Sequence, residues 1–434
     1  MAYALGIDEI CQIRLLKAAR FGNLDCLKRL ADVLDSGDGL RQTLESIEDK
    51  DGRTAFHHAA IGGNTRVCRY LLEEVKVDHI NLRDEALGET PLHQAIMAGH
   101  YNLAVYFLEK GAKPNVANDV GDTPLHYAVM KGYEKLLHLL ISKGAEVDAK
   151  SDSSTSLVWA ASFGNVKAMK ILLDNNANPN MIHLPAPSPL IESILSGSFE
   201  CVKLLLQAGA DPNMVCGGVR PLHVAVSEGA DTEIIKCLLD ANANPNAVNN
   251  CGLKPIELAA LKVYDDVVMM LLPLTSPFSD WSYDGIRNYL LSDEPLKQRE
   301  KNRNEAFLQL KSKGEDEFKR QEYIKAIYWY SECFFIKMDA TIMSNLSFCW
   351  ARLNNGDKAL DSAQTCVALR PDWPKAHYRE GVAWNLLEQF NLAAASFMRG
   401  LKLDPQNKEL RAAYREALVS MYEQAHDDMN DLAL

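Results

Sequence analysis

Lys375 and Arg379, four residues apart in the stretch PDWPKAHYREG, are the side chains of this sequence best placed to do chemistry. On a helix they share one face. Two bases so placed donate charge-assisted hydrogen bonds to carboxylates. They offer no nucleophile and no general base, so the chemistry is recognition. Catalytic signals are missing elsewhere in the sequence. It contains no HExxH and no GxSxG, and its glycines are dispersed at regular spacing rather than gathered into a phosphate-binding loop. His57, His93, His126 and His223 recur at one fixed place in a repeating unit. Such histidines are expected to bond nearby backbone groups rather than to act as acids, bases or metal ligands. In the copy reading SLVW from Ser156, Trp159 takes that place. The pairs Asp265-Asp266 and Asp427-Asp428 read as solvated charge.

The elements that position these residues follow from length, composition and repetition. A chain of 434 residues has room for one to three domains. Its formal charge of −12 argues against a general binder of nucleic acid or membrane surface. The ten cysteines are scattered, with no CxxC pair and no Cys/His cluster at zinc spacing. They read as small buried hydrophobes in a reducing compartment. No metal and no cofactor is expected. The first twenty residues lack the apolar run of a signal peptide, and no apolar stretch approaches the ~20 residues of a membrane span. Without a basic import cluster, the expected location is the cytoplasm, with a nuclear one left open.

Repeats decide the architecture. TPLH begins at Thr90 and again at Thr123, a step of 33, with weaker copies at Thr54, Ser156, Ser188, Arg220 and Lys254. Thr or Ser caps a helix, and Pro next to it lacks the amide that would be orphaned there. About nine residues on come Gly63, Gly99, Gly132, Gly164, Gly197 and Gly229, suited to the left-handed residue that ends a helix. A second apolar run then ends in Gly111, Gly144 or Gly209, or in Asn176 or Asn242. Helix, turn, helix and extended finger at this period resemble the ankyrin repeat, from residue 12 to 273, in about eight units including caps.

A second period follows. Gly314, Ala326 and Tyr330, then Leu346, Trp350, Ala359 and Pro371, then Gly381, Trp384, Ala393, Phe397 and Pro405 keep matching offsets in units starting at 307, 340 and 374. Small residues let paired helices approach, and aromatics fill the space between pairs. This resembles three tetratricopeptide (TPR) repeats, over 304–424 with a capping helix. A linker, 274–303, holds one short amphipathic helix built on Trp281, Ile286, Tyr289 and Leu290, and 425–434 is a tail. The fold expected is all-α: tandem solenoids, an ankyrin array with β-hairpin fingers followed by a three-repeat TPR superhelix.

Two arrays fill nearly the whole chain, which leaves no room for a catalytic domain. A non-enzymatic protein-binding adaptor is therefore expected. On the ankyrin side the finger tips are the expected partner contacts: Asn118, Asp119, Ser151, Asp152, His183, Asn249 and Asn250. Plain turn chemistry explains the same residue types. On the TPR side the resemblance implies more. The repeats are similar to the carboxylate-clamp type, which grips the Glu-Glu-Val-Asp ends of cytosolic heat-shock chaperones. Ankyrin–TPR fusions with such a clamp are known mainly from plants. The family's pattern falls here on Lys311, Asn345, Lys375 and Arg379. Its fifth position, an asparagine, is Glu315 here, a carboxylate that would repel an acidic tail and is spaced to pair with Lys311. The alternatives are a scaffold, or the regulatory subunit of an enzyme, whose TPR groove takes a different peptide.

Overall fold

The computed structural model describes residues 7–431 apart from 153, 182–186, 277, 279–280, 291 and 293. The chain forms two compact units, Met1–Asp211 and Pro212–Leu434. The first is built of helix pairs: α1 (Ile7–Phe21) with α2 (Leu24–Leu34), a short α3 (Leu40–Ser46), then α4 (Ala55–Ile61) with α5 (Thr65–Arg69), α6 (Pro91–Met97) with α7 (Tyr101–Glu109), α8 (Pro124–Lys131) with α9 (Glu134–Ser142), α10 (Ser156–Ser162) with α11 (Val166–Asp174), and α12 (Pro189–Leu195) with α13 (Phe199–Gln207). The leucine two residues after each cap is sealed in: Leu92, Leu125 and Leu157 are fully buried. Burying one such side chain stabilises by about 1.5–3 kcal/mol.

The repeated histidine ties one unit to the next. In α6, His93 Nδ1 accepts the Thr90 amide at 3.1 Å, which closes a reciprocal cap with the Thr90 side chain. Its Nε2 meets the Asp122 carbonyl of the following finger at 3.2 Å. His57 does the same between Thr54, at 3.3 Å, and the Leu82 carbonyl, at 3.0 Å. An Nδ1 that accepts an amide and an Nε2 that donates to a carbonyl require the neutral ring. Trp159, however, does not stand at this position. Helix α10 is capped by Thr155, so Val158 takes the histidine place and Trp159 lies one residue on, level with Tyr127. Counting from Ser156 began the motif one residue late. With no imidazole there, the Thr155 and Ser156 hydroxyls are buried without a partner.

Buried polar contacts also link successive fingers. Arg53 donates to Asp84 at 2.9 Å, Gln94 reaches Asp84 at 3.2 Å, and the Tyr127 hydroxyl, itself an acceptor for Asn118, donates to Glu89 at 2.6 Å.

The second unit opens with α14 (Pro221–Ser227), α15 (Thr232–Asp240), α16 (Pro255–Lys262) and α17 (Asp265–Leu271). Here His223 again bonds the next finger, at the Leu253 carbonyl, 3.0 Å away. Val263 ends α16 in the left-handed conformation, φ 62°, where the preceding ankyrin units have glycine. The short helix read from the linker is α18 (Tyr283–Leu290), with Ile286 buried and the Phe278, Trp281 and Tyr289 rings clustered at 5.0–5.5 Å. Then come α19 (Glu294–Lys319), α20 (Tyr323–Ile336), α21 (Ala340–Arg352), α22 (Gly356–Leu369), α23 (Pro374–Leu386), α24 (Phe390–Leu403) and α25 (Lys408–Asp431). Helix α19 runs unbroken through residue 303, because Pro295 sits in its first turn, where proline is tolerated. Helix α25 likewise continues past residue 424. Among the described residues no helix is long and apolar enough to cross a membrane.

Burial pushes the His57, His93 and His223 rings from the ordinary 6.5 down to about 4. The unfolded chain therefore binds protons at these rings below pH 6.5 that the folded chain refuses until about 4, and stability falls as pH drops through that window. The thermal unfolding midpoint, followed by circular dichroism, should be several degrees lower at pH 5 than at pH 7. An unchanged midpoint would contradict the neutral-ring assignment.

Candidate carboxylate-binding groove

The first helices of the three TPR pairs, α19, α21 and α23, carry the predicted groove residues. Their packing follows from size. A methyl group added at Gly314 would lie 2.6 Å from the Tyr330 ring, and one at Gly381 would lie 2.4 Å from Phe397. Glycine is thus what lets α19 and α23 close on their partners. Asp339 caps α21 by accepting the Thr341 and Ile342 amides at 2.9 and 3.2 Å. Pro374 opens α23.

On α19, Lys311, Glu315 and Phe318 follow at helical spacing, and Phe318 packs on Phe348 of α21 with ring centroids 5.2 Å apart. Across Phe348 stands the Arg379 guanidinium of α23, 4.6 Å from the ring centre. Three helices from three repeats are joined through this one side chain.

Lys375 and Arg379 open on one cleft of about 440 Å³, which Phe348, Tyr378, Asn407 and Leu410 also line. Neither base forms an ion pair among the described residues, and Arg379 Nε is buried without a hydrogen-bond partner. Burial first, and then the charge of Arg379, pulls the Lys375 ammonium below its ordinary value. Burial likewise lowers Arg379, against the opposing effects of Tyr378 and of Glu409 on the rim. Two partly desolvated cations held together are short of an anion.

The other predicted groove residues lie outside this lining. The Asn345 amide and the Glu315 charge both act on Tyr330, whose buried hydroxyl has no hydrogen bond in good geometry. Burial chiefly raises that phenol, the Glu315 charge raises it further, and the Asn345 amide opposes them. Lys311 is half-buried on the same face of α19, and its ammonium opposes the rise that burial imposes on the Cys333 thiol. No ion pair joins Lys311 to Glu315, although their spacing suits one. The cleft residues that sequence reasoning did not single out are Phe348, Tyr378, Asn407, Glu409 and Leu410. Phe348 and Tyr378 carry a readable signal, each next to a pattern position. Asn407 precedes the capping helix and accepts its Leu410 amide, Glu409 and Leu410 lie within it, and only its docking brings them to the cleft.

The predicted finger residues divide into two kinds. Asn118 and Asn249 are buried and close their own turns: Asn118 Oδ1 accepts the Val120 and Asp122 amides at 3.2 and 2.8 Å, and Asn249 Oδ1 accepts those of Cys251 and Leu253 at 2.9 and 3.0 Å. Ser151 is buried too, its hydroxyl bonding the Ser154 carbonyl. These three are turn chemistry, not surface. Asp119 and Asp152 are exposed, Asp119 in an ion pair with Arg83. Asn250 is half-buried, its amide on the Gly218 carbonyl at 3.1 Å. His183 lies outside the described residues. Sequence reasoning also passed over Phe163, whose exposed ring stands 6.4 Å from Trp159 on the first-helix row.

The profile of the family described as Ankyrin repeats (3 copies) matches residues 15–118, 110–183, 152–216 and 190–279, together more than half the chain. An Hsp70-Hsp90 organising protein of Plasmodium falciparum is 36% identical over 105 residues, 24% of this chain and 42% of that protein. Hsp70-Hsp90 organizing protein 3 of Arabidopsis thaliana is 34% identical over 122 residues, 27% of this chain and 22% of that protein. The chain thus spans less than half the length of these curated relatives. Among solved structures, the human ASB11 ankyrin repeat domain aligns at 29% identity over 50% of this chain and 98% of that one, with a TM-score of 0.45. This protein belongs to the ankyrin-repeat family, and its C-terminal region is similar to the TPR domains of Hsp70-Hsp90 organising proteins.

Proposed function

We propose that this protein is a non-catalytic adaptor whose TPR groove holds the acidic C-terminus of a cytosolic heat-shock chaperone while its ankyrin array holds a second protein. One observation carries the TPR half of this reading. Lys375 and Arg379 share a cleft, are partly desolvated, and form no ion pair among the described residues. A peptide's terminal carboxylate supplies the missing charge, and the Phe348, Tyr378 and Leu410 side chains offer apolar contact beside it. The similarity to proteins named for organising Hsp70 and Hsp90 supports the choice of tail. Asn345 and Lys311 extend the donor row, and Glu315 weakens it. On the ankyrin side, the exposed finger acids Asp119 and Asp152 and the Trp159–Phe163 pair are the surfaces offered to a partner.

An acetylated Glu-Glu-Val-Asp peptide should bind the full chain measurably more tightly than the same peptide with a C-terminal amide, as read by isothermal titration. Equal affinities would rule out the clamp. Lys375→Ala and Arg379→Ala should each weaken binding by about tenfold or more, since a charge-assisted bond to a carboxylate is worth roughly 1.5–3 kcal/mol. Glu315→Asn should tighten binding severalfold by replacing a repelling carboxylate with a neutral donor. An affinity unmoved by that change would show that position 315 does not meet the tail.

A further inference from the structure

The finger Cys216-Gly217-Gly218-Val219 is closed differently from the others. Its neighbours close their turns with their own Asp84, Asn118 or Asn249. Here Gly217 and Gly218 stand in succession in the left-handed region, φ 61° and 77°, and their amide hydrogens go to a distant acceptor. Glu332 Oε1 accepts Gly217 N–H at 3.0 Å, and Oε2 accepts Gly218 N–H at 2.7 Å. Successive backbone amides of this kind make a concave anion site. The carboxylate that fills it belongs to α20, the second helix of the first TPR pair, and is fully buried.

The contact extends along one face of that helix. Tyr328, Glu332 and Phe335 follow at spacings of four and three residues. The Tyr328 hydroxyl donates to the Val215 carbonyl. A methyl group on Gly218 would lie 2.8 Å from Phe335 Cβ and 3.0 Å from Asn250 Cβ, so only glycine admits the helix. At the next finger, Asn302 of α19 reaches the Gly252 carbonyl at 3.5 Å, and a methyl group on Gly252 would lie 2.4 Å from the Arg299 carbonyl. Burial raises the Glu332 carboxyl, while the two amides and the Arg220 charge favour its ionised form. A buried carboxylate needs such partners, and the finger supplies them.

We propose that the Gly217-Gly218 finger is a receptor for this chain's own first TPR pair, with Glu332 as its ligand. The latch carries the peptide cleft on the last ankyrin repeats as one body and withholds this finger from outside partners. It rests on neither the identity of the chaperone tail nor that of any client.

The test is hydrogen–deuterium exchange by mass spectrometry on the full chain. In the parent protein the amides of 215–219 should exchange slowly. Glu332→Ala and Gly218→Ala should each speed that exchange by roughly 100-fold, the scale of losing two charge-assisted bonds. The double variant should go no further than either single one, because both remove the same contact. Glu332→Gln keeps the volume but turns an amide donor toward one of the two backbone donors, so it should also release the finger while helix content by circular dichroism stays unchanged. Small-angle scattering of the released variants should show a larger radius of gyration. Slow exchange retained in Glu332→Gln, or single effects that add, would overturn the latch.

Discussion

The groove depends on Phe348. Its ring meets both Phe318 of α19 and the Arg379 guanidinium of α23. An arginine stacked on an aromatic face keeps its charge while shedding part of its water, and a planar partner fixes its direction. The same ring therefore spaces three helices and aims the cation. Lys375, one turn away, inherits that direction from the helix. The helix holds the two cations together on one face of the cleft, at the cost of their mutual repulsion.

The ankyrin repeats obey a different constraint. Each finger must close a turn whose backbone groups are out of reach of any helix or sheet ladder. Asp84, Asn118 and Asn249 meet this locally with a side-chain oxygen, and Ser151 with a hydroxyl. The neutral histidines then pin the turn to the helix before it, as His93 does from the Thr90 cap to the Asp122 carbonyl. The finger at 216–219 pairs Cys216 with Val219 through the backbone, but the acceptor for its two glycine amides is Glu332, more than a hundred residues away. The turn and the helix that completes it are then one structural element.

Much of this was legible in residue spacing. The Thr-Pro caps, the positive-φ glycines and asparagines, the histidine at a fixed place and the small–large pairs Gly314 with Tyr330 and Gly381 with Phe397 all recur at the predicted intervals. Where register rested on one residue, it slipped: Ser156 stood in for Thr155, and Trp159 was set where Val158 lies. The finger residues were legible as types but not as roles. Two asparagines of different role are the same letter, and only burial separates the turn-closing Asn249 from the less buried Asn250.

The sequence by itself determined the two periods, the order of the arrays and the pairing of Lys375 with Arg379 on one helix face. Those depend on local geometry, a cap, a turn or a helical step, and local geometry repeats wherever the residues do. Tertiary structure alone decided that Phe348 and the capping helix wall the cleft, and that the Gly217-Gly218 finger is filled by Glu332. Each of these brings together residues from different repeats. The energy of such a contact comes from desolvating groups that meet only when the solenoid has stacked, and no spacing along the chain records it.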